Sequence, residues 1–328
     1  MNDRIPEKPP QIEPVGTTTS RPLISVMIPV YNCIRFIPAV LQSVLEQDMG
    51  EDRMQIEVID DHSSDGDVAA LVAGYGGRIK YFRQPENRGS LRNFETAINR
   101  SRGHYVHLLH GDDMVKQGFY TELMNLFNRF PQAGAAFTKC THVDQDGVEE
   151  TPWDNSILPE PGIVPDFLDM TASGPVLQPP AIIVKREVYE KLGSFYGVHY
   201  GEDWEMWTRI AANYPVAYSP KCLALYRSGQ AGNITSQSVS TGKNIRDISR
   251  AIDMAQANIP PFRRAALRRK ARKNFSMHYA QASNWIYRDS RKTAFAQAHG
   301  ALRMSINLRT VYYVMKLYIL HVKTAFVK

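Results

Sequence analysis

Leu23-Ile24-Ser25-Val26-Met27-Ile28-Pro29-Val30-Tyr31-Asn32 is the stretch on which the architecture turns. It is short, apolar and followed by turn residues, so it reads as a buried strand. Ile37, Val40, Leu41, Val44 and Leu45 then recur at helical spacing, with Pro38 tolerated in the first turn. The alternation repeats downstream. Ile56-Glu57-Val58-Ile59 is a second strand, running into Asp60-Asp61-His62-Ser63-Ser64-Asp65-Gly66, which is turn chemistry. Residues 79–82 form a third strand, followed by a loop over residues 84–89 and a helix through Phe94, Ala97 and Ile98. Residues 105–109 form a fourth, ending at His110-Gly111-Asp112-Asp113. This order predicts the α/β class, a mostly parallel central sheet flanked by helices. Ligands of such sheets sit beyond the carboxyl ends of the strands. Three successive ends deliver Asn32, then Asp60 and Asp61, then Asp112 and Asp113.

Past Pro131 the pattern is less regular, with strands expected near residues 135–138, 181–184 and 217–225 and a helix near 203–213. From about Ile245 the chain reads as helices. Its 328 residues are about twice the usual single-domain size, and 43% hydrophobic with 22% charged residues excludes a wholly disordered or fibrous chain. The three cysteines, Cys33, Cys140 and Cys222, form no CxxC pair, which excludes a disulfide scaffold and a zinc ribbon. No signal-peptide pattern opens the sequence and no stretch approaches the roughly 20 apolar residues that span a bilayer. A cytoplasmic chain, or one peripheral at the inner face of a membrane, is expected. The net charge of +6 conceals an asymmetry: residues 241–328 hold 18 Lys and Arg against 3 Asp and Glu, and residues 1–240 hold 21 against 30. The acidic body gives no reason to expect nucleic acid; the basic tail suits an anionic surface.

Two adjacent carboxylates at a strand end repel unless a cation or donors offset their charge. Asp112 and Asp113 therefore read either as a solvated acidic turn or as ligands of Mg2+ or Mn2+, both of which take hard oxygen. Asp60 and Asp61 on a second strand end favour one polar site. Asn87-Arg88-Gly89, ahead of Arg92 and Asn93, is either a plain loop or a close backbone approach to an anion at a helix N-terminus. Asp203 in Gly201-Glu202-Asp203-Trp204-Glu205-Met206-Trp207 is either an N-cap or a general base beside Trp204 and Trp207, which could pack a sugar ring. Tyr226-Arg227 is a surface pair or a phosphate-facing cation.

Together these motifs resemble family 2 glycosyltransferases of the GT-A fold, in order and spacing, over roughly residues 22–235; Ser43 and Gln47 also match. The resemblance implies inverting transfer from a nucleotide-diphosphate sugar to a glycan or lipid-linked acceptor, with Mn2+ or Mg2+. It implies donor-binding roles for Pro29, Tyr31, Asn32, Asp60, Asp61, Asn87, Gly89, Asn93 and Asp112. Metal binding falls to Asp112 and Asp113, the catalytic base to Asp203, and acceptor contact to Glu202 and Trp204. The expected division is a disordered lead-in over residues 1–21, a donor-binding half over 22–130, an acceptor-binding half over 131–238 and a basic helical extension over 239–328. Two departures stand out. His110 replaces the first aspartate of the family's DxD motif, and Ser228-Gly229-Gln230 follows Tyr226-Arg227 where the family often places a histidine.

Two rivals share this architecture. A sugar nucleotidyltransferase would show a Gly-rich loop after the first strand, as a dehydrogenase would show GxGxxG, and neither is present. A non-catalytic binding protein would not need Asp203 with both Asp112 and Asp113. Specificity is expected in residues 151–180 and 199–201. At the tail, Val311-Tyr312-Tyr313-Val314-Met315-Lys316-Leu317-Tyr318-Ile319-Leu320 is apolar but too short to span a membrane. It is either a structural cover, a homodimer contact, or an interfacial helix with Lys316, Lys323 and Lys328 near anionic headgroups.

Overall fold

The apolar strand that opens the fold is an interior strand of a nine-stranded sheet. In the computed structural model, which describes residues 3–16, 20–150, 156–228 and 234–326, the chain runs β1 (Ile24–Val30), α1 (Ile37–Leu45), β2 (Met54–Asp60), α2 (Val68–Ala73), β3 (Lys80–Arg83), α3 (Ser90–Arg100), β4 (Tyr105–Leu108), β5 (Met114–Val115) and α4 (Phe119–Arg129). It continues through β6 (Ala135–Val143), β7 (Gly162–Ile163), α5 (Phe167–Thr171), β8 (Ile182–Lys185), α6 (Arg186–Leu192), α7 (Glu202–Asn213) and β9 (Val216–Arg227). Five helices follow: α8 (Ile234–Thr241), α9 (Lys243–Ala255), α10 (Pro261–Ile286), α11 (Arg291–Met304) and α12 (Leu308–Phe326). Two compact units result. Met1–Phe167, Leu177–Gly197 and Asn213–Gln230 form the sheet unit, and Leu168–Val176, Val198–Ala212 and Ala231–Lys328 form the helical unit.

The strand order is β3-β2-β1-β4-β8-β6-β9-β5, with β7 also on β9. Pairing is parallel across β3, β2, β1 and β4, as the alternating pattern predicts. Beyond β4 the sheet is mixed, because β8 enters antiparallel to both β4 and β6 while β6 and β9 are parallel. Every residue of β1 and β2 is buried, and α1 covers them with Ile37, Val40, Leu41 and Val44. Helices α2, α4 and α6 escape the pattern reading. In α4 the buried Phe119, Tyr120, Leu123, Leu126 and Phe127 do carry helical spacing, hidden between the acidic turn and Pro131.

Register carries the three strand ends to one level. Val30 pairs with Asp60, and Met27 with Leu108. Beyond β4 the chain still follows β1, with Leu109 N donating to Met27 O (3.0 Å) and Gly111 N to Pro29 O (3.1 Å). That path brings residues 110–113 beside the end of β1. Gly111 is required there, since a Cβ would stand 2.6 Å from Val30 Cγ1 and 2.8 Å from Cys33 Sγ.

Residues 3–16 are irregular yet docked on the sheet unit, which differs from the expected disordered lead-in. Ile12 is buried, Pro6 O and Pro10 O accept from Gly197 N and Ser194 N (both 2.8 Å), and Asp3 pairs with Arg92. Composition shows no apolar period here because the partners lie far along the chain. The helical unit also departs from the expected division: α7 falls in one compact unit with the C-terminal helices. Trp204 meets the Phe275 ring edge-on at 5.5 Å, in a core with Ile248, Ile252, Val314 and Leu317. Buried alanines Ala271, Ala280, Ala294, Ala298 and Ala301 let α10 and α11 approach closely. Asn244 and Gln297 exchange hydrogen bonds of 3.0 and 2.9 Å between α9 and α11.

Gly111→Ala overpacks the turn against Val30 and Cys33 and is expected to cost about 1–3 kcal/mol, measured by chemical denaturation. Gly118→Ala, which meets no atom but takes φ of 91°, is the comparison that isolates backbone strain.

Candidate active site

At the carboxyl edge of the sheet, the turns after β1 and β2 are tied together by their own polar groups. Asn32 takes φ of 49° and His62 φ of 64°, left-handed conformations that short polar side chains tolerate. Asn32 Oδ1 accepts from Ser64 N (2.8 Å), and Asn32 N donates to Ser63 Oγ (3.0 Å). Asp60 is fully buried; Ser63 N reaches its Oδ1 at 2.8 Å, and Tyr81 Oη and Arg83 Nη1 reach Oδ2 at 2.7 and 3.0 Å. A carboxylate can accept about four hydrogen bonds, so Asp60 keeps room for one more donor. Burial, then Asp60, pushes the Tyr81 phenol up to about 12. Tyr81 and Arg83 went unmarked in the sequence, although their alternate spacing on a strand beside β2 places them on one face.

Asp61 does something the motif reading did not foresee. Its Oδ1 accepts from Arg88 N (2.7 Å), and its Oδ2 from Gly89 N (2.8 Å) and Asn87 Nδ2 (3.0 Å). The anion at the N-terminus of α3 is thus the chain's own carboxylate. Gly89 is the N-cap residue with φ of 85°, which a side chain would strain. Burial raises the Asp61 pKa, and the Arg88 and Gly89 amides oppose the rise. Asn87 and Gly89, expected at the donor, are therefore engaged with Asp61. Asn93 is buried, with Nδ2 donating to Ile59 O (2.8 Å), which fixes the end of β2.

The acidic turn after β4 is a cluster of a different kind. Ligand atoms of His110, Asp112 and Asp113 lie within 4.8 Å of one another. Asp113 Oδ1 accepts Arg227 N (2.9 Å), whereas its buried Oδ2 has no hydrogen-bond partner. Burial, then the neighbouring Asp112 charge, pushes the Asp113 pKa far above the usual carboxylate range, and Arg227 only partly opposes this. The Phe94 ring stacks on His110 at 5.1 Å, and burial lowers the imidazole pKa, favouring the neutral form that ligates metals. Like charges crowded around an unsatisfied oxygen fit a divalent cation. Pro29 O is taken by Gly111, and Tyr31 stands half-exposed at the rim.

Arg227 is not a surface cation. It is buried, its Nε donates to Asp112 O (2.9 Å), its Nη1 to Asp144 O (2.6 Å) and Gln145 O (2.9 Å), and its guanidinium lies 4.6 Å from the Phe36 ring centre. Gly229 and Gln230, and residues 151–155 of the expected specificity loop, lie outside the described residues.

In the helical unit, α7 begins at Glu202, so Asp203 lies inside the first turn and is not the cap. Its Oδ1 accepts from Trp204 N (2.7 Å). Burial raises the Asp203 pKa and raises that of Glu202 strongly, where Asp203 and then Asp247 add to the effect. Tyr200 beside them is pushed up to about 12 by burial and these charges. Trp204 and Trp207 are both buried, and Trp204 Nε1 donates to Thr171 O (2.5 Å), so neither offers a ring face to a sugar. Their spacing in the sequence is that of core residues.

The family model "Glycosyl transferase family 2" matches residues 25–193, and the chain belongs to that family. The chain is 29% identical to an uncharacterized protein of Mycobacterium tuberculosis over 73% of this chain and 77% of that one. It is 27% identical to the putative teichuronic acid biosynthesis glycosyltransferase TuaG of Bacillus subtilis, over 69% and 84%. Among solved structures, Staphylococcus aureus TarS in complex with UDP-GlcNAc superposes with a TM-score of 0.61 at 17% identity, covering 90% of this chain and 79% of that one. Mannosyltransferase PcManGT of Pyrobaculum calidifontis, in complex with GDP-Man and Mn2+, gives 0.58 at 20%, covering 95% and 84%. The fold is the expected GT-A type and the protein is a glycosyltransferase; the nucleotidyltransferase and dehydrogenase alternatives fall away.

Asp61→Ala leaves the Arg88 and Gly89 amides without their acceptor and is expected to lower stability by about 2 kcal/mol, read by denaturant titration.

Proposed function

We propose that the protein moves a sugar, with inversion, from a nucleotide-diphosphate sugar to a hydroxyl of a glycan or lipid-linked acceptor during surface polysaccharide synthesis. The observation that carries this reading is the His110, Asp112 and Asp113 cluster with its unpartnered buried oxygen at the strand ends of a family 2 chain. The nucleotide-sugar complexes of TarS and PcManGT support such a donor, and the TuaG likeness supports a surface-polymer acceptor. In this reading Pro29, Tyr31, Asn32 and Asp60 surround the base and ribose, and the remaining acceptor capacity of Asp60 takes a donor of the base. Asp61, Asn87 and Gly89 hold that wall in shape.

Asp112, Asp113 and His110 would hold a divalent ion, whose charge, when bound, offsets that of a departing diphosphate. An imidazole nitrogen in the set suits Mn2+ better than Mg2+. Asp203 is the base that takes the acceptor hydroxyl proton, and Glu202 steadies the acceptor. Burial raises the pKa of both carboxyls, so the pair is predisposed to hold a proton between them. The enzyme works in the cytoplasm, peripheral to the membrane where the acceptor is lipid-linked.

Asp112→Ala is expected to abolish transfer and to weaken Mn2+ binding measured by electron paramagnetic resonance, with the melting temperature unchanged. Full transfer under chelation would overturn the metal role.

A carboxylate base works only when ionised. Because burial raises the Asp203 pKa, the rate should fall with decreasing pH along a limb displaced above the ordinary aspartate value of about 3.9. Asp203→Asn should remove that limb and cut transfer by about 10²–10⁴ with donor binding retained. Lowered stability with unchanged transfer would return Asp203 to a helix-end role.

A further inference from the structure

The last helix buries one face and leaves the opposite face apolar. Thr310, Val314 and Leu317 of α12 point into the helical unit. Leu308, Tyr312, Met315, Ile319 and Val322 lie on the other side and are 91%, 61%, 60%, 54% and 51% exposed. Their alternating spacing of four and three keeps them in one line along a helix of 3.6 residues per turn. Scattered single apolar residues on a surface are ordinary; a continuous line of five is not.

A second line runs beside the first. Arg309, Lys316 and Lys323 are exposed and recur two turns apart, each next in sequence to a member of the apolar line. No acidic residue occurs after Asp289, so neither α11 nor α12 carries a charge that could neutralise them. Lys328 lies outside the described residues.

These features discriminate between occupants. A second copy of the chain, docked through the same face, would bring an identical row of cations into a low-dielectric contact with no carboxylate on either helix to answer it. A plane of anionic headgroups answers all three cations together, while the apolar line enters the acyl boundary and Tyr312 sits at the junction. No helix among the described residues is long and apolar enough to cross a membrane, so the geometry is that of a helix lying on the surface.

We infer that the exposed face of α12 is a docking surface for an anionic lipid bilayer, with Leu308, Tyr312, Met315, Ile319 and Val322 inserted and Arg309, Lys316 and Lys323 at the headgroups. The inference does not depend on the sugar moved, and vesicle binding can fail without touching the transfer reading.

The test is co-sedimentation of the full chain with phosphatidylcholine vesicles, with and without about one-third phosphatidylglycerol, at salt from about 0.1 M to about 1 M. Wild type should bind the anionic vesicles at least about ten-fold more tightly than the neutral ones, and lose most of that gain at high salt. Met315→Glu with Ile319→Glu, and separately Lys316→Glu with Lys323→Glu, should each abolish binding while circular dichroism and melting temperature stay those of wild type. These side chains are exposed, so the variants test the surface and not the core. No binding by wild type overturns the proposal. So does a dimer in light scattering that Met315→Glu with Ile319→Glu dissociates while vesicle binding persists, since the face would then belong to a second copy.

Discussion

The candidate site depends on one guanidinium. Arg227, at the end of β9, reaches the acidic turn after β4, the turn after β6 and the ring of Phe36 ahead of α1. Its backbone amide holds Asp113, and its side chain holds the carbonyl of Asp112. Without a buried cation there, two adjacent carboxylates at a strand end would repel each other and drive the turn toward water. Arg227 does not neutralise the pair completely, because Asp113 Oδ2 is left without a partner. The turn is therefore held in place while one buried carboxylate oxygen stays without a hydrogen-bond partner.

The two acidic turns answer burial in opposite ways. After β2, each aspartate is surrounded by donors from its own chain: Asp60 by Ser63, Tyr81 and Arg83, Asp61 by the start of α3. After β4, Asp113 has a buried oxygen that no donor reaches. The same residue type in the same position relative to a strand is thus surrounded by donors in one case and left with an unpartnered oxygen in the other. What separates them is the supply of neighbouring N–H groups. That supply is a tertiary property, which is why Asp60-Asp61 and Asp112-Asp113 look alike when read along the chain.

Much of the sheet unit was legible. Apolar runs ending in Asn and Asp turns identify β1, β2 and β4, and helical spacing identifies α1 and α3, since burial on both faces leaves a pattern that neighbours in sequence already reveal. What the pattern along the chain does not reveal shares a cause. Arg227, Trp204 and Asn93 carry polar or aromatic groups whose internal partners, such as Asp112 O, Thr171 O and Ile59 O, are remote in sequence. The residues 3–16 failed for the same reason, with Ile12 matched by distant parts of the sheet unit. His110 was recognised as a departure, but only its proximity to both aspartates makes it a candidate ligand.

The self-capping of α3 by Asp61 has an entropic consequence. A helix terminus that waits for a ligand's phosphate must be ordered when the ligand arrives, and part of the binding energy goes into that ordering. Here the terminus is already closed by an intramolecular anion whose effective concentration never falls. The turn after β2 and the start of α3 are consequently ordered by the chain's own groups, with no ligand needed to close them. Any ordering left for a ligand to supply lies instead at the turn after β4, where Asp113 Oδ2 has no hydrogen-bond partner.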